Sequence, residues 1–303
     1  WRQHLHAHPE LAFDCVNTAA FVVERLKAFG IEEIHGGFAK TGLVALIHGK
    51  EPGPVIGLRA DMDALPIPEE TGLDYASMVP GVMHACGHDG HTGMFIGAAR
   101  YLAETRNFDG TAVVIFQPAE EGVAEVPMAG AELMVKEGVM QGVDAIFGLH
   151  IWAQIEAGKI GYKPGPTMAA VDILTINVLG TQSHGASPWS GVDPIVTSAQ
   201  IITGLQTILS RSVNVTENPA VVTVGAIHGG IRHNIIPEKV ELIGTIRTFG
   251  DEQQALVHRR INTIATNIAE SAGAKAEVTI TKLYPSTVND EALTAKMLPS
   301  LHA

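Results

Sequence analysis

Hydrophobic positions in the first half of the chain switch between helical and extended periodicity. From Asn17 to Phe29 the apolar residues Phe21, Val22, Leu26 and Phe29 share one helical face, and Gly30 supplies a stop, so a helix is predicted there. Short apolar runs at Gly42–Ile47, Val55–Leu58, Thr111–Phe116 and Ala145–Leu149 predict strands. The stretches Thr92–Ala103 and Ala131–Lys136 predict helices between them. This order predicts an α/β fold, a mainly parallel mixed sheet with helices on both faces.

After a linker-like Pro164-Gly-Pro166 the pattern changes. Strand Val171–Leu179, helix Asp193–Ser210, strands Ala220–Ile227 and Lys239–Thr248, helix Asp251–Ala272 and strand Ala276–Leu283 are predicted in turn. Asp193 and Asp251 read as N-caps, with Pro194 in the first turn. The first of these helices is expected to bury Ile195, Val196, Ala199, Ile202, Leu205 and Leu209, and the second Leu256, Ile261, Ile264 and Ile268. The βαββαβ string is that of a ferredoxin-like α+β sandwich. It is expected to be a domain spanning 166–280, inserted into a first domain formed by 1–165 and 281–303. Internal repeats and low-complexity tracts are not found.

Composition narrows the class. The 303 residues are 46% hydrophobic and 17% charged, a folded rather than disordered chain. A net charge of −12, with no basic run, argues against nucleic acid as a partner. No apolar stretch reaches membrane-spanning length, and no membrane partner is expected. The two cysteines, Cys15 and Cys86, do not make a disulfide framework, so a reducing, cytoplasmic setting is the expectation. The chain opens at Trp1 without an initiator methionine, and its true start, with any targeting segment, is expected to lie upstream.

The chemistry concentrates in His84-Ala-Cys86-Gly-His88-Asp89-Gly-His91. Burying a core requires no such mixture; thiolate, imidazole and carboxylate together are a transition-metal ligand set. Polar groups also follow three predicted strands: Arg59-Ala-Asp61-Met-Asp63, Gln117-Pro-Ala-Glu120-Glu121-Gly and His150. Open α/β sheets place ligands at the carboxyl ends of strands, so these groups could converge with the Cys86 cluster. Cys86 and His88 are spaced to point the same way from an extended or turn segment. Pro118 and Gly122 give the Glu120–Glu121 pair an irregular backbone that can turn both carboxylates inward. Cys15 reads as a buried free thiol, and His84 and His91 as supporting or structural groups. Arg247 could hold a substrate carboxylate or cover its sheet.

Together these motifs resemble the M20 metallopeptidases, specifically the amidohydrolase branch that hydrolyses hippurate and other N-acyl or indole-3-acetyl amino acids. The matching stretches are His6-Ala-His8-Pro9-Glu10, Arg59 to Pro66, His84 to His91, Gln117 to Gly122, Gly148-Leu-His150, Ser183-His184-Gly-Ala-Ser-Pro188 and Asn234-Ile-Ile-Pro237. The resemblance implies a hydrolase with two divalent metal ions per subunit, manganese or zinc with nickel or cobalt as alternatives. It implies a catalytic domain interrupted by a lid that also forms a homodimer. It makes Cys86, His88, Glu121 and His150 the metal ligands and Glu120 the general base. It makes His184 an oxyanion donor and Asn234 a group that reaches the substrate from the lid; beside them, Arg247 is a substrate-binding candidate by its place on its strand, and Asp63 is read as orienting a ligating histidine. The small-molecule substrate is then an N-acyl amino acid. The family's last metal histidine lies in a C-terminal segment that His302-Ala303 does not match, so the sequence is expected to be a fragment lacking both ends. Three alternatives stand beside this reading: a metallo-aminopeptidase or carboxypeptidase acting on small peptides, a catalytically incompetent metal-binding or dimerising protein, and a cysteine hydrolase using Cys86.

Overall fold

The computed structural model describes residues 1–121 and 128–301, so Gly122 and His302 of the sequence reading lie outside the described residues. The chain divides into two compact units, Trp1–Glu156 and Ala157–Ala303.

The first unit runs α1 (Arg2–Ala7), α2 (Val16–Ala28), β1 (Ile34–Phe38), β2 (Gly42–His48), β3 (Val55–Asp61), α3 (His88–Thr105), β4 (Thr111–Gln117), α4 (Gly130–Lys136) and β5 (Ala145–Gly148). Its sheet has the order β1-β2-β4-β3-β5. β3 pairs parallel with β4 and β5, whereas β2 pairs antiparallel with β4 and β1, so β2 runs against the rest. The sheet is therefore mixed, and most of its strands share one direction. Successive side chains of a strand point to opposite faces. Accordingly Leu43, Ala45 and Ile47 of β2 and Ala112, Val114 and Phe116 of β4 pack on Val22 and Leu26 of α2 and Phe95, Ile96 and Ala99 of α3. The alternate residues Val44, Val113 and Ile115 pack on Met134 of α4 and Phe13. Each fully buried side chain of this size contributes about 1.5–3 kcal/mol.

One boundary here differs from the prediction in a way that matters. α3 starts at His88 rather than Thr92, with Gly87 as N-cap at φ 98. That positive φ is open to glycine and strained for other residues. The first turn of α3 is thus the His-rich motif itself, whose polar residues carry no apolar period to announce a helix.

The second unit holds β6 (Gly165–Met168), β7 (Ala170–Leu179), β8 (Ser183–His184), α5 (Pro194–Arg211), β9 (Val221–Gly229), β10 (Ile235–Ile236), β11 (Lys239–Thr248), α6 (Asp251–Ser271), β12 (Lys275–Tyr284), β13 (Thr287–Asn289) and α7 (Glu291–Leu301). Its main sheet is antiparallel, in the order β12-β7-β11-β9, and α5 and α6 bury Ile201, Leu205, Ile208, Val257 and Ile261 with Leu174, Ile176 and Leu242. Asp193 caps α5, accepting the amides of Ile195 at 2.8 Å and Val196 at 3.2 Å. Asp251 is not a cap: Gly250 takes that place, and Asp251 is the first helical residue. The buried stripe of α5 also differs from the expectation, for Ile195 and Val196 are exposed while Thr197, Ser198, Ile201, Leu205 and Ile208 are buried. The buried row packs into one core with Leu174, Ile176 and Leu242 of the sheet and Val257 and Ile261 of α6, and α5 approaches α6 at Gly204, where any side chain would run into Ile264 and Ile268. In α6, Val257, Ile261, Ala265 and Ala269 form the buried row, with Leu256, Ile264 and Ile268 half-buried beside it. Among the described residues no helix is long and apolar enough to cross a membrane.

Candidate metal centre

The site is built where β3 and β4 end side by side. Asp61, last in β3, pairs with Gln117, last in β4, and the Met62 amide reaches the Gln117 carbonyl at 2.8 Å. Beyond β4 the chain turns sharply. Ala119 is buried at φ 52, a left-handed conformation that costs a non-glycine residue on the order of 1 kcal/mol. Its amide is held by the Ala12 carbonyl at 3.0 Å. The turn aims the next two amides at Asp63: Glu120 N–H donates to Oδ1 at 2.9 Å and Glu121 N–H to Oδ2 at 3.1 Å.

His88 is buried at the start of α3, and its Nδ1 donates to the Asp63 main-chain carbonyl at 2.7 Å. Asp63 thereby orients this ring through its carbonyl, with its carboxylate Oδ1 3.5 Å from the same nitrogen. The hydrogen bond leaves Nε2 unprotonated in the neutral ring and facing three carboxylates, with Asp61 Oδ2 and Glu120 Oε2 at 3.6 Å and Glu121 Oε1 at 3.7 Å. Both His88 Nε2 and Glu121 Oε1 are buried without a hydrogen-bond partner. On the other side of His88, Cys86 Sγ lies 3.4 Å from His150 Nε2, and His150 Nδ1 donates to the Ile151 carbonyl at 2.6 Å.

These atoms fall into two overlapping groups, Cys86–His88–His150 and His88–Glu120–Glu121, each with its ligand atoms within 4.8 Å of one another. Nitrogen and oxygen ligands bound tetrahedrally at about 2.1 Å stand about 3.4 Å apart. The observed spacings match that figure, and the orphaned His88 and Glu121 atoms are the ones a cation would satisfy. Soft thiolate with imidazole and carboxylate suits zinc, and the oxygen donors admit manganese, nickel or cobalt. The donor set fits divalent metal.

The electrostatics agree. His150, then His88, holds the Cys86 thiol below the ordinary cysteine value, favouring thiolate. Burial works against a charged His88, yet Asp63, Cys86 and Asp61 outweigh it and push the ring up to about 11. The pocket is therefore a place that stabilises positive charge. Burial raises the Glu120 carboxyl.

Two residues carry more of the site than their sequence signal indicated. Asp61 is fully buried and accepts from Arg59 Nη1 at 2.8 Å and from His91 Nδ1 at 2.6 Å. Burial opposes its ionisation, but the His91 hydrogen bond and the Arg59 charge outweigh it and keep it well below the usual carboxylate range. His91, fully buried, accepts the Ile151 amide on Nε2 at 2.7 Å. Periodicity could not flag either; only their place in the two motifs could. His84 is buried with both ring nitrogens unpartnered, and burial pushes it down to about 4. Cys15 is buried and donates to the Ala12 carbonyl at 3.3 Å, and burial pushes its thiol up.

The remaining candidates lie in the second unit. His184 is exposed in β8, which pairs with β10, and its Nδ1 accepts the Ala186 amide at 3.1 Å. The Gly185 amide donates to the Asn234 carbonyl at 2.8 Å, bringing His184 and Asn234 together across this short ribbon. Asn234 keeps a buried, unpartnered Oδ1. Arg247, half-buried in β11, bonds within its own strand to Thr245 Oγ1 and, at 2.9 Å, the Ile246 carbonyl.

The mixed α/β sheet carries a Cys/His/Glu group of metal-ligand spacing near its strand ends, and comparison with known proteins places the chain among hydrolases. The family model for Peptidase family M20/M25/M40 matches residues 57–302, and the chain belongs to this family, whose members hydrolyse amide bonds. It is 44% identical over 290 residues to an N-acyl-L-amino acid amidohydrolase of Geobacillus stearothermophilus, covering 95% of this chain and 77% of that one. A hippurate hydrolase of Campylobacter jejuni is 39% identical over 292 residues, covering 96% and 74%. A crystal structure described as a dinuclear metal-binding peptidase of the M20 family, from Bacillus subtilis, superposes with a TM-score of 0.86 at 40% identity, covering 99% and 77%.

Proposed function

We propose that the chain hydrolyses the amide bond of N-acylated amino acids with two divalent cations held by Cys86, His88, Glu121 and His150. The observation that carries this reading is the pair of buried, unpartnered ligand atoms, His88 Nε2 and Glu121 Oε1, facing each other at 3.7 Å. When bound, the cations supply Lewis acidity to the amide carbonyl and to the attacking water.

The chain's own residues then divide the remaining work. Glu120, raised by burial and anchored through its amide to Asp63, takes the water's proton as attack begins and delivers it to the departing amine. Two carboxylates on consecutive residues thus take different roles, Glu121 as ligand and Glu120 as base. His184 is the oxyanion donor: Nδ1 accepts from Ala186, so the neutral ring carries its proton on Nε2, where it can be given. Asn234 and Arg247 are the candidates for binding the amino acid's polar groups.

The second unit is proposed as the inserted lid. What supports this is the antiparallel pairing of β6 with β13, which brings the chain before β7 and the chain after β12 side by side, Gly165 against Asn289. A homodimer through it is proposed on the open outer edge of β9, which pairs only with β11 among the described strands.

The reading is tested by stripping metal with a chelator, assaying benzoylglycine and free dipeptides, and adding back zinc or manganese. Metal-restored activity on benzoylglycine, with dipeptides poor, is expected. Activity that resists chelation but falls to thiol alkylation would replace the metal centre with a Cys86 nucleophile, and faster dipeptide cleavage would make the chain a peptidase.

A further inference from the structure

His91 is buried with both ring nitrogens engaged, and it is not among the proposed ligands. It sits one helical turn beyond His88 in α3, in a group with Asp61 and His88 whose spacing alone could suggest another cation site. The hydrogen bonding excludes that. Nδ1–H is spent on Asp61 Oδ1 at 2.6 Å, and the Nε2 lone pair is spent on the Ile151 amide at 2.7 Å. Asp61 is engaged at both oxygens, for Oδ2 takes Arg59 Nη1 at 2.8 Å and stands 3.6 Å from His88 Nε2.

What His91 holds is informative. Ile151 follows His150, and its main chain is held at both its amide and its carbonyl. Its amide is bound by His91, while its carbonyl accepts His150 Nδ1–H at 2.6 Å, which leaves His150 Nε2 facing Cys86 at 3.4 Å. The side chain of Ile151 lies over Gly87 and Gly90 of the same helix start, where any added Cβ would crowd it. His150 is itself exposed, on a segment without regular structure, and its ring centroid lies 4.7 Å from that of His91, 6.2 Å from that of His88 and 5.7 Å from that of Trp152.

We infer that His91 is a positioning residue: through Arg59–Asp61–His91–Ile151 it fixes the place and tautomer of His150 and so presents Nε2 to the cation shared with Cys86. The inference rests on the metal-centre reading. Asp61 determines that His91 is protonated on Nδ1, which leaves Nε2 free to accept. The Ile151 amide that it accepts places the carbonyl that in turn determines the His150 tautomer. Groups that orient metal-binding histidines typically change metal affinity by about 10- to 100-fold when removed. The expectation at His91 is a loss in that range.

The test is titration of metal-free full-length protein with Co(II), following visible absorption for ligand geometry, in wild type, His91→Phe, His91→Gln, Asp61→Asn and the His91→Phe/Asp61→Asn pair. Phenylalanine keeps the ring and removes both hydrogen bonds. Glutamine keeps one donor and one acceptor. Asparagine at 61 puts a donor against either His91 or Arg59. Co(II) affinity should fall by about 10- to 100-fold in His91→Phe and in Asp61→Asn. The pair should lose no more than either single variant, and His91→Gln should recover most of the affinity. Wild-type affinity and spectra in the folded variants would overturn the inference and leave His91 a packing residue. A nitrogen ligand missing from the Co(II) spectrum of His91→Gln would also overturn it, by making His91 a ligand. Should His91→Phe not fold, Asp61→Asn decides on the same two criteria. Wild-type protein that takes up no Co(II) would bring down the metal-centre reading and this inference with it, whereas normal uptake with unchanged variants sinks this inference alone.

Discussion

The carboxylate of Asp63 accepts the main-chain amide of Glu120 at 2.9 Å, and its second oxygen accepts that of Glu121 at 3.1 Å. One buried side chain just past the end of β3 thereby fixes the backbone of the proposed base and of its neighbouring ligand, just beyond β4. Asp63→Ala leaves both amides without their acceptor, at a cost on the order of 2 kcal/mol. Chemical denaturation should register that loss, and kcat should fall by about 10- to 100-fold. Unchanged kcat would show that the Glu120–Glu121 turn holds itself.

Glu120→Gln removes the proton acceptor and keeps the shape. Turnover should fall by at least about 10²- to 10⁴-fold while metal content stays at the wild-type level. Metal content is read by elemental analysis and turnover by amine release from benzoylglycine. Substantial residual activity would take Glu120 out of the mechanism.

For His184→Ala the loss should sit in kcat, about 10²- to 10³-fold, with KM little altered, because a donor to the developing oxyanion acts mainly in the transition state. Steady-state kinetics separate the two constants. A rise in KM with kcat preserved would make His184 a substrate-binding group instead.

His84 gives a pH signature. Burial pushes it down to about 4 from an ordinary 6.5, so the folded chain refuses a proton that the unfolded chain accepts. Its contribution is complete above pH 6.5 and is lost as pH falls toward 4, by on the order of 3 kcal/mol. Urea midpoints of metal-free protein, measured across that window, should fall less steeply for His84→Phe than for wild type. Parallel curves would mean that His84 finds a partner when charged.

Much of the framework was legible from periodicity because its cause is local. The alternation in β2 and β4 divides side chains between the two faces of the sheet, and strand Lys239–Thr248 was predicted to the residue. What escaped depends on other parts of the chain. β1 carries two glycines in Ile34-His-Gly-Gly-Phe38 and lies at a sheet edge, so it shows no apolar alternation. α7 contains Pro299, which reads as a stop. The buried face of α5 depends on its packing against the sheet and α6, information absent from α5 itself. In the site, residue identities were readable as motifs and the family followed from them. The work of Asp61 and His91 was not, because each acts through a main-chain or side-chain partner brought near only by folding. Asp63 shows the same limit: the residue was singled out, yet its carboxylate serves the Glu120 and Glu121 amides and its carbonyl serves His88.

The central claim is that Cys86, His88, Glu121 and His150 gather around divalent cations. Anomalous diffraction at the zinc or manganese absorption edge, from a metal-soaked crystal, tests it most directly. The account predicts two peaks, with the Cys86 sulfur, a His88 nitrogen, a Glu121 oxygen and a His150 nitrogen each about 2.0–2.3 Å from at least one of them. A map with no peak within reach of the Cys86 sulfur, from crystals whose metal uptake elsewhere is plain, would contradict it.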